Sequence, residues 1–118
     1  MHAKKQLRIL RAARELLARR GGWIKGSFVN DERDSYCLVG ALNKAAYGSA
    51  FVGGGDMLSA ARDTGVIAYW RKVYFKPDWL YLDEEIEEWN DRSRTRKREV
   101  LALLDGRIAQ LEATEGGG

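Results

Sequence analysis

A run of acidic residues precedes Trp89-Asn90-Asp91, and a run of basic residues follows it. The acids occupy positions 83–88 and the bases occupy positions 92–98. Such a segment could contact nucleic acid through its cations or act as an acid/base site centred on Asp91. It could also consist of two helices whose charges neutralise each other. The elements that carry these charges decide between the three interpretations.

Cys37 is a second candidate for chemistry, because a cysteine in the first turn of a helix can have a lowered pKa and act as a nucleophile. The only histidine is His2, at the start of the chain. Free cysteines are usually buried, so we expect a structural role for Cys37 and no catalytic residue. One histidine and one cysteine are also too few for a soft-ligand zinc site. We expect neither a metal nor a cofactor, and keep an enzyme using Cys37 or Asp91 as a second alternative.

The acidic run fits the outside of one short helix. Leu82, Ile86 and Trp89 recur at i, i+4 and i+7, which places the neighbouring glutamates on the opposite face. Asp83 is the expected N-cap. Acidic residues in a first turn are stabilised by the helix dipole, by about 0.3–1 kcal/mol each. The acidic run therefore has a structural explanation that requires no catalysis.

The basic run leads into the last helix. Ser93 or Thr95 is the expected cap, so that residues 96–98 lie in a first turn, where the dipole disfavours cations. An antiparallel pair of helices would compensate by returning Glu87 and Glu88 beside them. The sequence alone does not decide whether Arg92 and Arg94, in the connection itself, are left for a partner. The predicted apolar face of the last helix carries Val100, Leu101, Leu104, Ile108 and Leu111.

Residues 4–20 predict an amphipathic helix that ends at Gly21-Gly22. Its apolar half consists of Leu7, Ile9, Leu10, Ala13, Leu16 and Leu17. The other half is basic, and this basic stripe could bind phosphates. The nucleic-acid residues of this alternative are Lys4, Arg8, Arg11 and Arg19.

The middle of the chain predicts a short hairpin near residues 23–36 and a helix over 36–47 that Ser35 caps. Within that helix, Gly40 would let another element approach closely. Asp56 is the expected N-cap of a further helix, which ends at about Thr64.

Residues 69–89 are dense in aromatic side chains, which we expect to fill the centre of the domain. A remainder, such as Trp79 and Tyr81, would be exposed to a partner.

The composition suits one compact domain. The chain has 118 residues, 45% of them hydrophobic, and a formal net charge of +3. We expect a single globular domain over residues 1–115 and a frayed tail over 116–118. No apolar run reaches the roughly 18 residues of a membrane span, and the start is unlike a signal peptide. The expected location is the cytoplasm, without membrane contact.

Several motifs carry a resemblance to a known family. They are Trp23-Ile24-Lys25-Gly26, Tyr36-Cys37-Leu38-Val39-Gly40-Ala41-Leu42, Trp89-Asn90-Asp91, Arg94-Thr95 and the Glu99-Val100-Leu101-Ala102 start of the last helix. The chain resembles a domain-of-unknown-function family of small bacterial and bacteriophage proteins. It departs from that pattern in having lysine where glutamine is common, and serine rather than glycine before Arg94. The family motif residues are Trp23, Gly26, Cys37, Gly40, Trp89, Asn90 and Asp91.

These observations predict a mainly α, small single-domain helical bundle with one short β-hairpin near residues 23–36. The surface charge and the aromatic excess predict a non-enzymatic protein-interaction or regulatory module, which would act on a host protein if the chain is phage-encoded. The resemblance supports the fold and leaves the function open. The alternative is a nucleic-acid-binding protein that uses the basic N-terminal helix. The predicted interaction residues are Trp79, Tyr81, Arg92, Arg94, Arg96, Lys97 and Arg98.

Overall fold

The computed structural model describes residues 1–52, 54–73 and 85–116. This part of the chain is mainly helical and contains one short antiparallel sheet, as the sequence predicts. The elements in chain order are α1 (Ala3–Ala18), β1 (Val29–Asn30), β2 (Ser35–Tyr36), α2 (Leu38–Tyr47), α3 (Ser59–Asp63), α4 (Val66–Val73), α5 (Glu85–Asp91) and α6 (Lys97–Gly116).

Helix α1 packs against both α2 and α6, and these three helices enclose most of the core. The predicted apolar half of α1 is buried except for Leu16, which is half-buried. Burial of each large aliphatic side chain contributes about 1.5–3 kcal/mol. The predicted apolar face of α6 is confirmed except at Leu101, which is half-buried, and Leu103 is buried in addition. The buried side chains of α6 are Val100, Leu103, Leu104, Ile108 and Leu111.

The predicted hairpin is present as strands β1 and β2, with Val29 opposite Tyr36. Its turn contains Asp34 in the left-handed region, at φ 53°. Tyr36 is also held from its other side, because its N–H donates to the Gly22 carbonyl at 2.7 Å and its carbonyl accepts from the Ile24 N–H at 3.0 Å. The hairpin is therefore anchored to the chain that leaves α1.

Ser35 does not cap α2, contrary to the prediction, because it lies in β2 and its hydroxyl donates to the Gly21 carbonyl. The N-cap is Cys37, whose Sγ accepts a hydrogen bond from the Gly40 N–H at 3.3 Å. The predicted close approach at Gly40 is confirmed. A Cβ built there would overlap the carbonyl oxygen of Phe28.

Helix α3 begins at Ser59, three residues after the predicted cap. Asp56 instead closes a turn, in which its Oδ1 accepts from the Leu58 N–H at 2.9 Å. Its other oxygen pairs with Arg62, and these two contacts lower the pKa of the Asp56 carboxyl. The prediction failed by a few residues because aspartate bonds its neighbouring backbone in turns as readily as at a helix start.

The described core is aliphatic rather than aromatic-rich, so the predicted aromatic centre is not found in it. Trp70 and Trp89 are buried. Phe28 and Phe51 form an edge-to-face pair at 5.7 Å, but Phe51 is largely exposed. Much of the aromatic segment, including Trp79 and Tyr81, lies outside the described residues, as do Leu82 and Asp83.

Helices α5 and α6 do not form the predicted antiparallel hairpin, because α5 packs mainly on α2 while α6 packs on α1 and α4. Lys97 donates to the Ala18 and Arg19 carbonyls, at 3.2 and 2.6 Å, at the end of α1. The cation therefore compensates the negative end of α1 instead of pairing with Glu87 and Glu88.

The start of α6 also differs from the prediction. The helix begins at Lys97, and the Arg96 N–H donates to Glu99 Oε1 at 3.2 Å. This bond satisfies a backbone donor at the helix start without Ser93 or Thr95. Across the described helices, none combines the length and apolarity needed to cross a membrane.

Candidate functional site

The side-chain amide of Asn90 connects three segments that are distant in the sequence. Its Oδ1 accepts from the indole N–H of Trp23 at 2.8 Å and from the Leu38 N–H, at the start of α2, at 3.1 Å. Its Nδ2 donates to the Ile24 carbonyl at 3.2 Å. Asn90 is 1% exposed, so its side chain is shielded from water. Asn90 therefore lies inside α5 as a structural link and does not terminate the helix.

Asp91 extends the same network to the exposed side. Its Oδ1 accepts from the Gly26 N–H at 2.9 Å and from Asn90 Nδ2 at 2.9 Å. Beside it, Lys25 donates to the carbonyl of Arg92, and its ammonium lies 5.3 Å from the centre of the Trp23 ring. The motif residues of the 23–26 segment are thus tied to the end of α5. Asp91 therefore holds the 23–26 segment in place against α5. These contacts favour a structural role for Asp91 over that of a general base.

Cys37 completes the cluster of motif residues, but its environment opposes nucleophilic chemistry. The residue is 5% exposed, and burial raises the pKa of its thiol to about 12. The nearby carboxylates of Glu87 and Asp91 act in the same direction. The thiol is therefore protonated at neutral pH, and its observed contact is the cap at the start of α2. The structure favours the structural interpretation of Cys37.

A small pocket of about 110 Å³ opens beside this network. Glu87 and Asp91 lie one helical turn apart on α5 and make its wall acidic. In residues 1–52, 54–73 and 85–116, no group of three or more His, Cys, Asp or Glu side chains is arranged to hold a metal ion. The pocket is lined by Gly26, Ser27, Phe28, Cys37, Val39, Glu87, Asn90 and Asp91.

The sequence interpretation missed Ser27, Phe28 and Val39 as lining residues, and no local pattern marks them. The apolar pattern of the sequence places Glu87 on the outer surface of the helix. Its spacing of four residues from Asp91 places both on one face, and this signal could have identified the pair.

The basic face of α1 is divided by ion pairs. Two of its arginines contact carboxylates of α6. Arg14 pairs with Asp105 at 2.5 Å, and Arg11 lies 3.8 Å from Glu112. Arg19 pairs with Asp34 of the hairpin at 2.8 Å. The remaining members of the predicted nucleic-acid stripe, Lys4 and Arg8, are exposed near the start of the helix. The stripe is therefore not a continuous track of available cations.

The connection between α5 and α6, together with the first turn of α6, differs in this respect. The arginine side chains of this segment are exposed, and none forms an ion pair or hydrogen bond within the part of the chain that the structure describes. We call them the connection surface, which consists of Arg92, Arg94, Arg96 and Arg98.

The backbone under the connection surface is fixed at several points. The Thr95 N–H donates to the Arg92 carbonyl at 3.1 Å, which closes a turn with Ser93 and Arg94 at its centre. Thr95 itself is buried, and Lys97 is bound to the end of α1. Lys97 thus has a structural contact that the connection arginines do not share. The cations are presented from a preorganised backbone, which lowers the entropy cost of binding.

The fold and the cluster of motif residues together define a small, mainly helical protein with one hairpin. Its asparagine network joins α5 to α2 and to the segment that precedes the hairpin. The chain belongs to the family of unknown function DUF6197, which it matches over residues 1–110. No curated protein and no solved structure matches it significantly.

Proposed function

We propose that the protein is a non-enzymatic interaction module that binds an acidic surface of a protein partner through the connection surface. The observation that supports this proposal is the group of four exposed arginines within residues 92–98 that have no partner among the described residues. Elsewhere in this chain, Arg14, Arg19 and Arg62 do pair with carboxylates. Arginine is also enriched at protein interfaces, where its planar fork binds carboxylates through two hydrogen bonds.

A protein partner fits this surface better than a nucleic acid does. Binding to duplex DNA typically neutralises about 6–10 phosphates along a continuous basic track. Here the ion pairs of Arg11 and Arg19 interrupt the basic face of α1. The exposed carboxylate of Asp91 also borders the connection surface. It would repel a continuous phosphate backbone, whereas an acidic protein surface can hold its carboxylates opposite the arginines and place neutral or basic groups opposite Asp91. In a phage-encoded protein, the partner would be a host protein.

Two variants with equal charge change test the proposal. The connection variant replaces all four arginines of the connection surface by glutamine. The control variant replaces four cations of α1 by glutamine: Lys4, Lys5, Arg8 and Arg11. Immobilised wild-type and variant proteins are used to capture partners from nuclease-treated lysate, and saturable binding is then measured with the purified candidate.

We expect wild type and the control variant to bind the same protein with similar affinity. The connection variant should bind it at least about tenfold more weakly, because each of the four lost charges contributes roughly 0.3–0.5 kcal/mol to binding. A signal that is seen only in a parallel lysate without nuclease, and that falls most in the control variant, would instead support nucleic-acid binding by α1. Equal binding by all three proteins would contradict both interpretations.

A further inference from the structure

Ser93 lies at the tip of the connection surface. It occupies a central position of the turn that the Thr95 N–H closes onto the Arg92 carbonyl, at 3.1 Å. Its side chain is exposed and forms no hydrogen bond to the described residues. Arg92 and Arg94 flank it directly, and both are exposed. The hydroxyl is therefore accessible between two available guanidinium groups.

We propose that Ser93 is a phosphorylation site for a protein kinase that recognises arginine beside serine, and that the phosphate switches off the connection surface. In the reaction, Ser93 Oγ forms a bond to the γ-phosphorus of a nucleoside triphosphate while the bond to the β,γ-bridging oxygen breaks. The nucleoside diphosphate leaves, and the hydroxyl proton passes to a base of the kinase. An acidic substrate groove in such a kinase is complementary to the arginines on either side of the serine.

The fold selects Ser93 over the other hydroxyl in the same basic stretch. Thr95 lies between Arg94 and Arg96, so the sequence alone offers both residues to the same kind of kinase. Thr95 is 5% exposed, however, and its N–H is held in the turn. Ser27 and Ser49 are exposed but have no arginine neighbour in the sequence. Ser93 alone among these four combines access with flanking cations.

The consequence for binding follows from charge. A phosphoserine carries about −1.5 to −2 charges at neutral pH, which offsets close to half of the four positive charges of the connection surface. The phosphate oxygens can also accept hydrogen bonds from Arg92 and Arg94, which withdraws these groups from an acidic partner. Phosphorylation should therefore weaken partner binding. This regulatory part rests on the proposed function, whereas the modification itself does not.

The modification is tested on the intact, folded protein with magnesium, ATP and a purified kinase that phosphorylates serine in arginine–serine dipeptides. Peptide mapping by mass spectrometry locates the phosphate. We expect one phosphate at Ser93, at least about tenfold more than at Ser27 and Ser49 together, and none in the S93A variant. Thr95 should be modified only after denaturation, which makes it an internal control for access.

Failure of phosphorylation at Ser93 in the folded chain would overturn the proposal, whether or not a peptide of residues 88–99 is modified. Partner affinity is then compared for the protein with and without the phosphate. A fall of about tenfold supports the switch, whereas unchanged affinity overturns it while leaving the modification site intact. If wild type binds no partner at all, the proposed function is wrong. The mapping result at Ser93 still decides separately whether Ser93 is a phosphorylation site.

Discussion

Replacement of Asn90 by alanine should destabilise the fold, because it removes hydrogen bonds to three distant segments at once. The Leu38 N–H loses its acceptor in a site that is 0% exposed, at a cost of about 1–3 kcal/mol. The Trp23 indole N–H and the Ile24 carbonyl also lose partners. Both residues are half-buried, so water can replace part of each bond, and each costs about 0.5–1 kcal/mol. We expect a loss of about 3 kcal/mol in the free energy of unfolding.

Urea denaturation followed by tryptophan fluorescence measures this loss, provided that the dependence on urea keeps the same slope in both proteins. Asn30→Ala is the matched control, because Asn30 is exposed and its side-chain Oδ1 accepts a long bond from the Arg33 N–H, at 3.4 Å. It should cost less than about 0.5 kcal/mol. Trp23→Phe should cost less in the Asn90→Ala background than in wild type, because the bond is already missing. If Asn90→Ala costs no more than Asn30→Ala, the hydrogen bonds of Asn90 do not stabilise the fold.

Three further predictions follow from the same region and from the hairpin. Gly40→Ala should lower the free energy of unfolding by about 1–3 kcal/mol in urea melts, because the added Cβ overlaps the Phe28 carbonyl. Unchanged stability would show that the backbone at Phe28 moves away from α2 at little cost in free energy. Cys37, whose thiol pKa burial raises to about 12, should be alkylated at pH 7.5 only after denaturation, and rapid labelling of the native protein would contradict its burial. Hydrogen bonds from Tyr36 and Arg19 lower the pKa of the Asp34 carboxyl. The stability that this carboxylate contributes is therefore present above its unfolded pKa of about 4 and is lost as the pH falls through the lower folded pKa. In Tyr36→Phe, NMR titration should find the Asp34 pKa closer to its usual value.

The helices and the hairpin were predictable because their signals are local. The apolar spacing of α1 and α6 repeats over several turns, and a repeated pattern tolerates individual exceptions. The polar cluster at residues 30–34 marks the turn of the hairpin for the same reason. Helix starts were less predictable, as Ser35 and Asp56 show, because short polar side chains bond to nearby backbone in several geometries.

The role of Asn90 could not be predicted, because its partners lie 67 and 52 residues away in the sequence. An asparagine close to a helix end resembles a local cap, and only the packing of α5 on α2 reveals otherwise. Lys97 is a similar case. Local charge favoured pairing with Glu87 or Glu88, whereas the carbonyls that it contacts lie 78 and 79 residues away. Long-range backbone acceptors leave no pattern in the sequence.

The motif cluster and the connection surface therefore have separable expected roles, one in stability and one in binding. The direct test is the equilibrium affinity of the purified protein partner for wild type, the connection variant and the α1 control variant under identical salt. We predict that the connection variant keeps wild-type stability and loses about tenfold or more in affinity, while the control variant changes less than about twofold. An equal loss in both variants, or a larger loss in the control, would contradict the assignment of binding to Arg92, Arg94, Arg96 and Arg98.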